Sequence, residues 1–268
     1  MKKLLLTGFT LAALAFGGPA LAADMPTKAP LAVPPLFSWT GWYVGVNGGG
    51  AWGHSHDPTT TVFSPTGYFA ASSVPAIAAA GNQRVDFSGG TAGGQSGYNW
   101  QVGHSLVGLE ADFGWLGLSG SQTTSALYPC CAPTGFTINS NVKTDWLFTL
   151  RPRFGFVADN WLFYFTGGLA VSEIKANWIF TDTFATALET ASLSNTKAGW
   201  TVGVGTEYAF AARWSAKLEW LHIDLGSATV SSTNLTAFTP PIAFPSNVFT
   251  HSANLVSDVV RVGINYRP

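Results

Sequence analysis

Apolar and polar side chains alternate with a period of two along the end of this chain. In residues 259–266, Val260, Val262 and Ile264 fall on one face, and Arg261 and Gly263 fall on the other. Such alternation is typical of a strand with one apolar and one polar wall. The same pattern predicts seven earlier strands, although the fifth is apolar on both faces and leaves its register open. The eight predicted strands are 38–52, 85–101, 105–116, 142–157, 161–172, 196–210, 213–225 and 259–266.

The segments between these strands alternate in length. Four are long and rich in Ser, Thr, Pro and Ala, and three are short. Outer-membrane barrels sort their connections in this way, whereas a soluble sandwich has no reason to do so. A last strand that pairs with the first also removes both sheet edges. The sequence therefore predicts an all-β fold, an eight-stranded antiparallel transmembrane β-barrel with four long extracellular loops and three short periplasmic turns. The loops are 53–84, 117–141, 173–195 and 226–253, and the turns are 102–104, 158–160 and 211–212.

The first residues carry a targeting pattern. Lys2 and Lys3 precede a short apolar run, and small residues end it at Ala22, so residues 1–22 are predicted to be a cleaved secretory signal peptide. Residues 23–37 contain four prolines and are predicted to form a periplasmic tether, followed by the barrel in residues 38–268. No later run is apolar for 18 residues, so export leads to the outer membrane of a Gram-negative cell.

Composition agrees with a wall that faces lipid. Charged residues are only 10% of the chain and aromatic residues 14%, and the 13 basic and 14 acidic residues nearly balance. This balance gives no reason to expect a nucleic-acid partner. Aromatic side chains close to predicted strand ends suit the two interfacial girdles of a barrel. The periplasmic candidates are Tyr98, Trp100, Tyr208, Trp214 and Tyr266, and the outer candidates are Trp52, Trp115 and Trp146.

Charged residues of the predicted strands fall on the face opposite the aromatic residues. An eight-stranded barrel is just wide enough for its own side chains, and an unpaired buried charge is costly. Four acids and four bases are therefore predicted to form a structural salt-bridge network that fills the lumen, and a narrow polar pore lined by the same residues is the alternative. The eight residues are Glu110, Asp112, Arg151, Arg153, Glu207, Lys217, Glu219 and Arg261.

Other reactive side chains form weaker patterns. His54, His56 and Asp57 stand together in the first predicted loop and suit weak binding of a divalent metal, although a solvated cluster is the commoner case. Cys130 and Cys131 are adjacent, and the sequence leaves open a strained ring, a link between chains or an incidental pair.

A hydrolase on the same scaffold needs a nucleophile or base with oriented partners. His104 and Ser105 lie in a predicted periplasmic turn without a carboxylate nearby in sequence. His222 and Asp224 lie on the outward face near the end of the seventh strand. We therefore expect no catalytic residue, metal site or cofactor. The test is whether any histidine reaches both a hydroxyl and a carboxylate.

Several strand segments resemble a known family. The chain is similar to the outer membrane immunogenic proteins, or porin-family surface antigens, of alphaproteobacteria. The matching segments are 38–45, 97–101, 109–112, 166–170, 199–203 and 260–266. The resemblance covers the strands and none of the loops. It implies an OmpA-like eight-stranded barrel with a structural and antigenic surface role and no catalytic residues.

The end of the chain departs from that family pattern. Such barrels usually end in an aromatic residue that the insertion machinery recognises in the C-terminal strand. Here the last residue is Pro268, and Tyr266 places the aromatic ring two positions earlier. The prediction is thus a non-enzymatic outer-membrane barrel in contact with lipid and inserted through its last strand. A narrow channel for small solutes and an outer-membrane hydrolase are the alternatives, and the oligomeric state stays open.

Overall fold

A computed structural model of the chain describes residues 37–268. The predicted signal peptide and all of the predicted tether except Phe37 lie outside the described residues. Among the described residues, no helix has the length and apolar character needed to cross a membrane.

Eight long antiparallel strands form a closed ring within the described chain. β1 pairs with β2 on one side and with the C-terminal strand on the other, from Val44 opposite Tyr266 to Thr61 opposite Phe249. β5 also pairs with β6, which completes the ring and confirms the predicted barrel. The elements are β1 Gly41–Thr61, α1 Ser73–Ala80, β2 Asn82–Val102, β3 Ser105–Leu127, β4 Gly135–Ala158, β5 Trp161–Asp182, β6 Leu188–Ala211, β7 Trp214–Ser232, β8 Thr236–Ala237, β9 Ile242–Ala243 and β10 Phe249–Tyr266.

The strands extend far beyond their predicted outer ends, so the predicted loop bounds were wrong. The segments left between them are 62–81, which contains α1, then 128–134, 183–187 and 233–248, which contains β8 and β9. Above the membrane the outward face of each strand meets water and not lipid, so Ser and Thr take outward positions and the apolar–polar alternation fades while the strand continues. The three short turns lie where they were predicted.

Two local features of the strands needed the structure. In β5 the side chains of Leu162 and Tyr164 point inward and are buried, and those of Phe163 and Phe165 point outward. At Pro152 the pairing of β4 with β5 is interrupted without a change of register. Proline lacks the N–H group that the ladder needs, so the predicted local loss of a ladder bond occurs without a bulge.

The barrel interior is packed in layers from one end to the other. At the periplasmic end, Trp39, Leu106 and Leu162 form an apolar base, and Phe37 packs on Trp39 with ring centroids 4.8 Å apart. Charged residues lie above this base. A larger apolar layer that includes Trp178 follows, and the extracellular loops close the top with an aromatic cap around Phe69.

Candidate functional site

The outward face carries an uncharged band of large apolar side chains. In β1 this band runs from Trp42 to Trp52, which at about 3.3 Å per residue and a tilt near 40° is about 25 Å tall. Trp42 and Val46 expose more than three-fifths of their surface in the isolated chain, 63% and 65%. Such a surface is stable only against hydrocarbon, so the band is the lipid-facing belt.

Aromatic girdles border this belt at both ends. At the periplasmic end, the Tyr98 ring contacts those of Trp100 and Trp42, with centroids 4.5 Å and 5.3 Å apart. Trp161 lies 4.7 Å from Tyr208 in the same girdle. All five predicted periplasmic aromatics lie near the short turns or the C-terminus, whereas Trp42 and Trp161 were missed. At the outer end, outward charged residues begin at the level of Trp52, where Asp258 lies opposite it, and include the ion pair of Lys175 with Asp145 at 2.6 Å.

The lumen network is centred on Arg151, which is fully buried. Its guanidinium donates to Glu110 Oε1 at 2.7 Å, to Asp112 Oδ2 at 2.7 Å and to Glu219 Oε1 at 3.2 Å. Arg261 donates to Asp112 and Glu219 from the opposite wall, at 2.7 Å and 2.9 Å. Two arginines are thus held among three carboxylates.

A second group of contacts lies beside the first. Glu110 accepts from Lys217 Nζ at 3.0 Å and from Arg153 Nη1 at 3.1 Å. The hydroxyl of Tyr43 donates to Glu110 at 2.8 Å and accepts from Arg153 at 2.7 Å. Arg153 also lies 4.2 Å from the ring centroid of Tyr164, which gives a cation–π contact. Through this group the structure brings the predicted charges into contact with two tyrosines that sequence reasoning missed.

Glu207 links the network to the periplasmic base. Its carboxylate accepts from Arg153 at 2.9 Å and from Arg267 at 3.1 Å. Arg267 lies over the Trp39 ring at 4.5 Å and was missed, although it continues the inward parity of Arg261. The structure therefore places all eight predicted residues inward, buried and ion-paired, together with this ninth charge.

A small cavity lies beside the charges. A cavity of about 10 Å³ borders Asp112 and Arg261, which is room for about one water molecule. The apolar layer that contains Leu147 and Leu221 lies directly above it.

A second polar cluster lies inside the extracellular part of the barrel. His251 Nδ1 is 2.9 Å from the Thr59 hydroxyl, and its Nε2 is 3.3 Å from Glu189 Oε1, which also accepts from Ser232. Trp178 stacks on the imidazole, with centroids 5.0 Å apart. A histidine thus does reach a hydroxyl and a carboxylate, but Thr59, His251 and Glu189 are all buried. They were missed because they lie in segments that were predicted to be loops.

The group of two histidines and one aspartate that was considered for weak metal binding is split by strand geometry. His54, His56 and Asp57 belong to β1 and not to a loop, so the histidines face outward and Asp57 faces inward. Within residues 37–268, no group of three metal-ligating side chains could hold an ion. Burial raises the pKa of Asp57 to about 6, and Ser55, which donates a hydrogen bond to the carboxylate, opposes this shift.

The other histidines have different partners from those that sequence proximity suggested. His222 pairs with Asp258 on the neighbouring strand at 3.0 Å, and Asp224 instead accepts from the Gly226 N–H at 2.8 Å. His104 Nδ1 lies 3.2 Å from the Val157 carbonyl oxygen. Among the described residues, neither of these two histidines forms a hydrogen bond to a hydroxyl group.

The extracellular cap is tied together at one carboxylate. Tyr68 and Tyr128 donate to Asp182 Oδ2 at 2.5 Å and 3.0 Å, and Asp182 Oδ1 accepts from the Ala187 N–H at 2.8 Å. Burial raises the pKa of both tyrosines, so they stay protonated as donors. Cys130 and Cys131 form a disulfide with each other in the adjoining loop.

Comparisons with known sequences agree with this architecture. The family model for the outer membrane protein beta-barrel domain matches residues 9–255. The chain is 34% identical to the 31 kDa outer-membrane immunogenic protein of Brucella melitensis over 274 residues, which is 100% of each chain. It is 24% identical to the 25 kDa outer-membrane immunogenic protein of Brucella abortus, over 80% of this chain and 79% of the relative.

Solved structures give more distant likenesses. The outer membrane protease OmpT from Escherichia coli has a TM-score of 0.42 and 8% identity, over 87% of this chain and 98% of its own. Neisserial surface protein A has a TM-score of 0.30 and 9% identity, over 85% and 97%. The family model and the full-length relative, together with the lipid-facing belt, show that this chain belongs to the outer membrane protein beta-barrel family and is an outer-membrane protein.

Proposed function

We propose that this protein is a non-enzymatic surface barrel with a closed lumen, which contributes to the structure of the outer membrane and presents its loops as antigens. One observation carries the proposal. The charged lumen residues of the described chain are buried and ion-paired, and apolar layers lie both above and below them. A lumen that is filled in this way stiffens the barrel, and the loops are then the part of the protein that other molecules contact.

Packing of the lumen argues against the narrow channel. A conducting path needs a continuous column of water, whereas the cavity beside Asp112 has room for about one molecule. The Trp178 layer and the Trp39 base would both have to move before an ion could pass. Opening such a path would also separate buried charges from their partners, which is costly.

Burial argues against the hydrolase. His251 has the hydroxyl and carboxylate neighbours that general-base chemistry needs, but the imidazole and both partners are enclosed. A substrate could reach the imidazole only if the side chains that enclose it moved. The arrangement instead suits a structural hydrogen-bond chain from β1 through β10 to β6.

The surface role draws on the loops and on the relatives. The four segments between the long strands hold no Asp, Glu, Lys or Arg, and they expose Phe63, Phe184 and Phe238. Relatives of this chain bear the name immunogenic. We extend that property to this chain on the basis of full-length similarity.

The route to the membrane completes the proposal. Cleavage after Ala22 would release the mature chain, residues 23–37 would form the periplasmic tether, and residues 38–268 would form the barrel. The insertion machinery would recognise β10, where Tyr266 faces outward in the periplasmic girdle and stacks on Trp214 at 4.9 Å. Arg267, which is paired with Glu207 inside the lumen, then keeps the non-aromatic terminus away from lipid.

Single-channel conductance of the refolded mature protein in a planar bilayer tests the closed lumen. We expect no steady openings from the wild type or from Lys143→Ala, a variant of an exposed outward residue on β4. The double variant Arg151→Gly with Glu219→Gly removes two opposite charges from the plug but leaves both apolar layers in place, so it should also stay silent. Steady openings in the wild type would refute the closed lumen. Ion selectivity that follows neutralisation of Arg151 or Glu110 would then establish the channel.

A further inference from the structure

The barrel wall is not continuous above the membrane. β6 and β7 pair from Ala211 opposite Trp214 up to Trp200 opposite Asp224, and their pairing ends there. β6 nevertheless continues beside β5 as far as Leu188, and β7 continues beside β10 as far as Ser232. Above this point, β6 and β7 therefore each have one edge that pairs with no neighbouring strand.

A local distortion of β7 explains the separation. Gly226 has a φ of +67°, a left-handed conformation that glycine adopts without steric cost, and its N–H donates to Asp224. The burial pattern of β7 shifts by one residue at this point. β10 has a register irregularity between Asn254 and Val256, directly opposite. These changes bend β7 and β10 together, away from β6.

Side-chain contacts close the gap again at its top. Asn234 Nδ2 donates to the Thr190 carbonyl oxygen at 2.7 Å, and Ser232 donates to Glu189. Leu188 pairs with Thr236 of β8. The result is a lateral window bordered by residues 191–199 of β6 and 225–231 of β7, above the outer end of the lipid belt at Trp200.

The window is open to solvent and has an apolar inner side. Ser194 and Thr196 are exposed on the β6 border, and Thr229 is exposed on the β7 border. Leu193 and Val230 face inward and pack against the upper apolar layer. The borders thus carry polar side chains outside and apolar side chains inside, along strand edges that pair with no neighbouring strand.

Lys197 is the charged residue of these borders. It lies opposite Ser172, which is buried, so the two residues share the inward face of β5 and β6. In the part of the chain that the structure describes, Lys197 forms no ion pair. A half-buried lysine without a carboxylate partner favours an acidic residue from outside the chain.

We propose that this window binds an extended segment of a partner protein, which adds as a strand to the free edge of β6. Backbone hydrogen bonds to an exposed edge supply affinity in this mode, and alternate side chains supply specificity. The nine border residues of β6 span about 30 Å, which accommodates a segment of about eight residues. The segment should alternate apolar residues that face Leu193 and Val230 with polar residues that face solvent, and should place one acidic residue beside Lys197.

Peptide binding to the full-length mature barrel in lipid nanodiscs tests this proposal. The probe is a labelled, capped peptide of about eight residues in which Val alternates with Thr and one Val is replaced by Glu. We expect saturable binding by fluorescence anisotropy. Lys197→Glu should weaken it about tenfold and should favour the peptide with Lys in place of Glu. Lys143→Glu, which changes an outward-facing lysine that has a paired residue on both neighbouring strands, is the matched control and should leave the affinity unchanged.

A backbone-modified peptide separates strand addition from side-chain attraction. N-methylation of every second residue removes the amide donors on one edge while it keeps all side chains, and it should abolish binding. Equal binding of the methylated peptide, or no saturable binding up to millimolar concentration, would overturn the proposal. A dimer that forms without peptide and dissociates in Lys197→Glu would also overturn it, because the occupant would then be a second copy of this chain.

Discussion

Removal of Arg151 should destabilise the barrel by a defined amount. The Arg151→Met variant keeps most of the side-chain volume but removes the donors to Glu110, Asp112 and Glu219. Breaking a buried ion pair from one side costs about 3–5 kcal/mol. Each carboxylate keeps at least one other base, such as Arg261 beside Asp112 at 2.7 Å, so we expect the lower end, about 3 kcal/mol.

The effect should come from lost contacts and not from net charge. The described lumen network has four acids and five bases once Arg267 is included, so loss of Arg151 brings the count to balance. If net charge dominated, the variant would be as stable as the wild type or more so. Arg151→Met and Glu219→Gln should also be non-additive, because each removes part of the same network.

Equilibrium unfolding by guanidinium chloride in lipid vesicles, followed by tryptophan fluorescence, measures the difference in free energy of unfolding. Lys143→Met changes an exposed outward-facing lysine and should stay within about 0.5 kcal/mol of the wild type. An Arg151→Met value that matches this control would show that the lumen charges are hydrated in solution. It would refute both the buried network and the closed lumen that rests on it.

Three further changes test other parts of the molecule. Gly49→Ala should prevent folding, because its Cβ would lie 2.0 Å from a backbone oxygen of β10. The Cβ of Gly50→Ala would have no atom within 4 Å, so that variant should fold. Loss of heat-modifiable mobility on a gel reports the failure to fold. The ordinary pKa of Asp57, 3.8, is raised to about 6 in the fold, so its stabilising contribution is complete below pH 3.8 and is lost as pH rises through 6. Asp57→Asn should therefore raise the free energy of unfolding at pH 8 by up to about 3 kcal/mol, and exposed Asp86→Asn should not. Tyr128→Phe removes one hydrogen-bond donor to the Asp182 carboxylate, and such a bond contributes about 1.5–3 kcal/mol. The variant should therefore speed proteolysis of the loops. An unchanged digestion rate would show that this hydrogen bond does not hold the loops together.

The inward placement of the lumen charges could be predicted because it depends only on parity along each strand. Glu110 and Asp112 are two residues apart, as are Arg151 and Arg153, so each pair must share a face once its segment is a strand. The same rule places Val107 and Leu109 on the opposite face, and both are exposed on the lipid side. The rule also places Arg267 on the inward face, but the predicted last strand ends at residue 266, one residue before it.

The partners of those charges could not be predicted. Arg151 contacts Glu219 from β7, and Arg261 contacts Asp112 from β3, across the lumen. Such contacts depend on the stagger of all eight strands, which is a property of the closed ring. The cluster of Thr59, His251 and Glu189 was missed for a related reason, because its strands continue where the apolar alternation has already stopped.

By itself, the sequence determined which segments cross the membrane, which face of every strand but the fifth meets lipid and on which side the short turns lie. These features follow from a local period of two and from the order of long and short connections. The tertiary structure alone decided how far the strands rise above the lipid, which charges pair across the lumen and where β6 parts from β7. These features depend on register and bending between strands that are distant along the chain, and no local pattern encodes them.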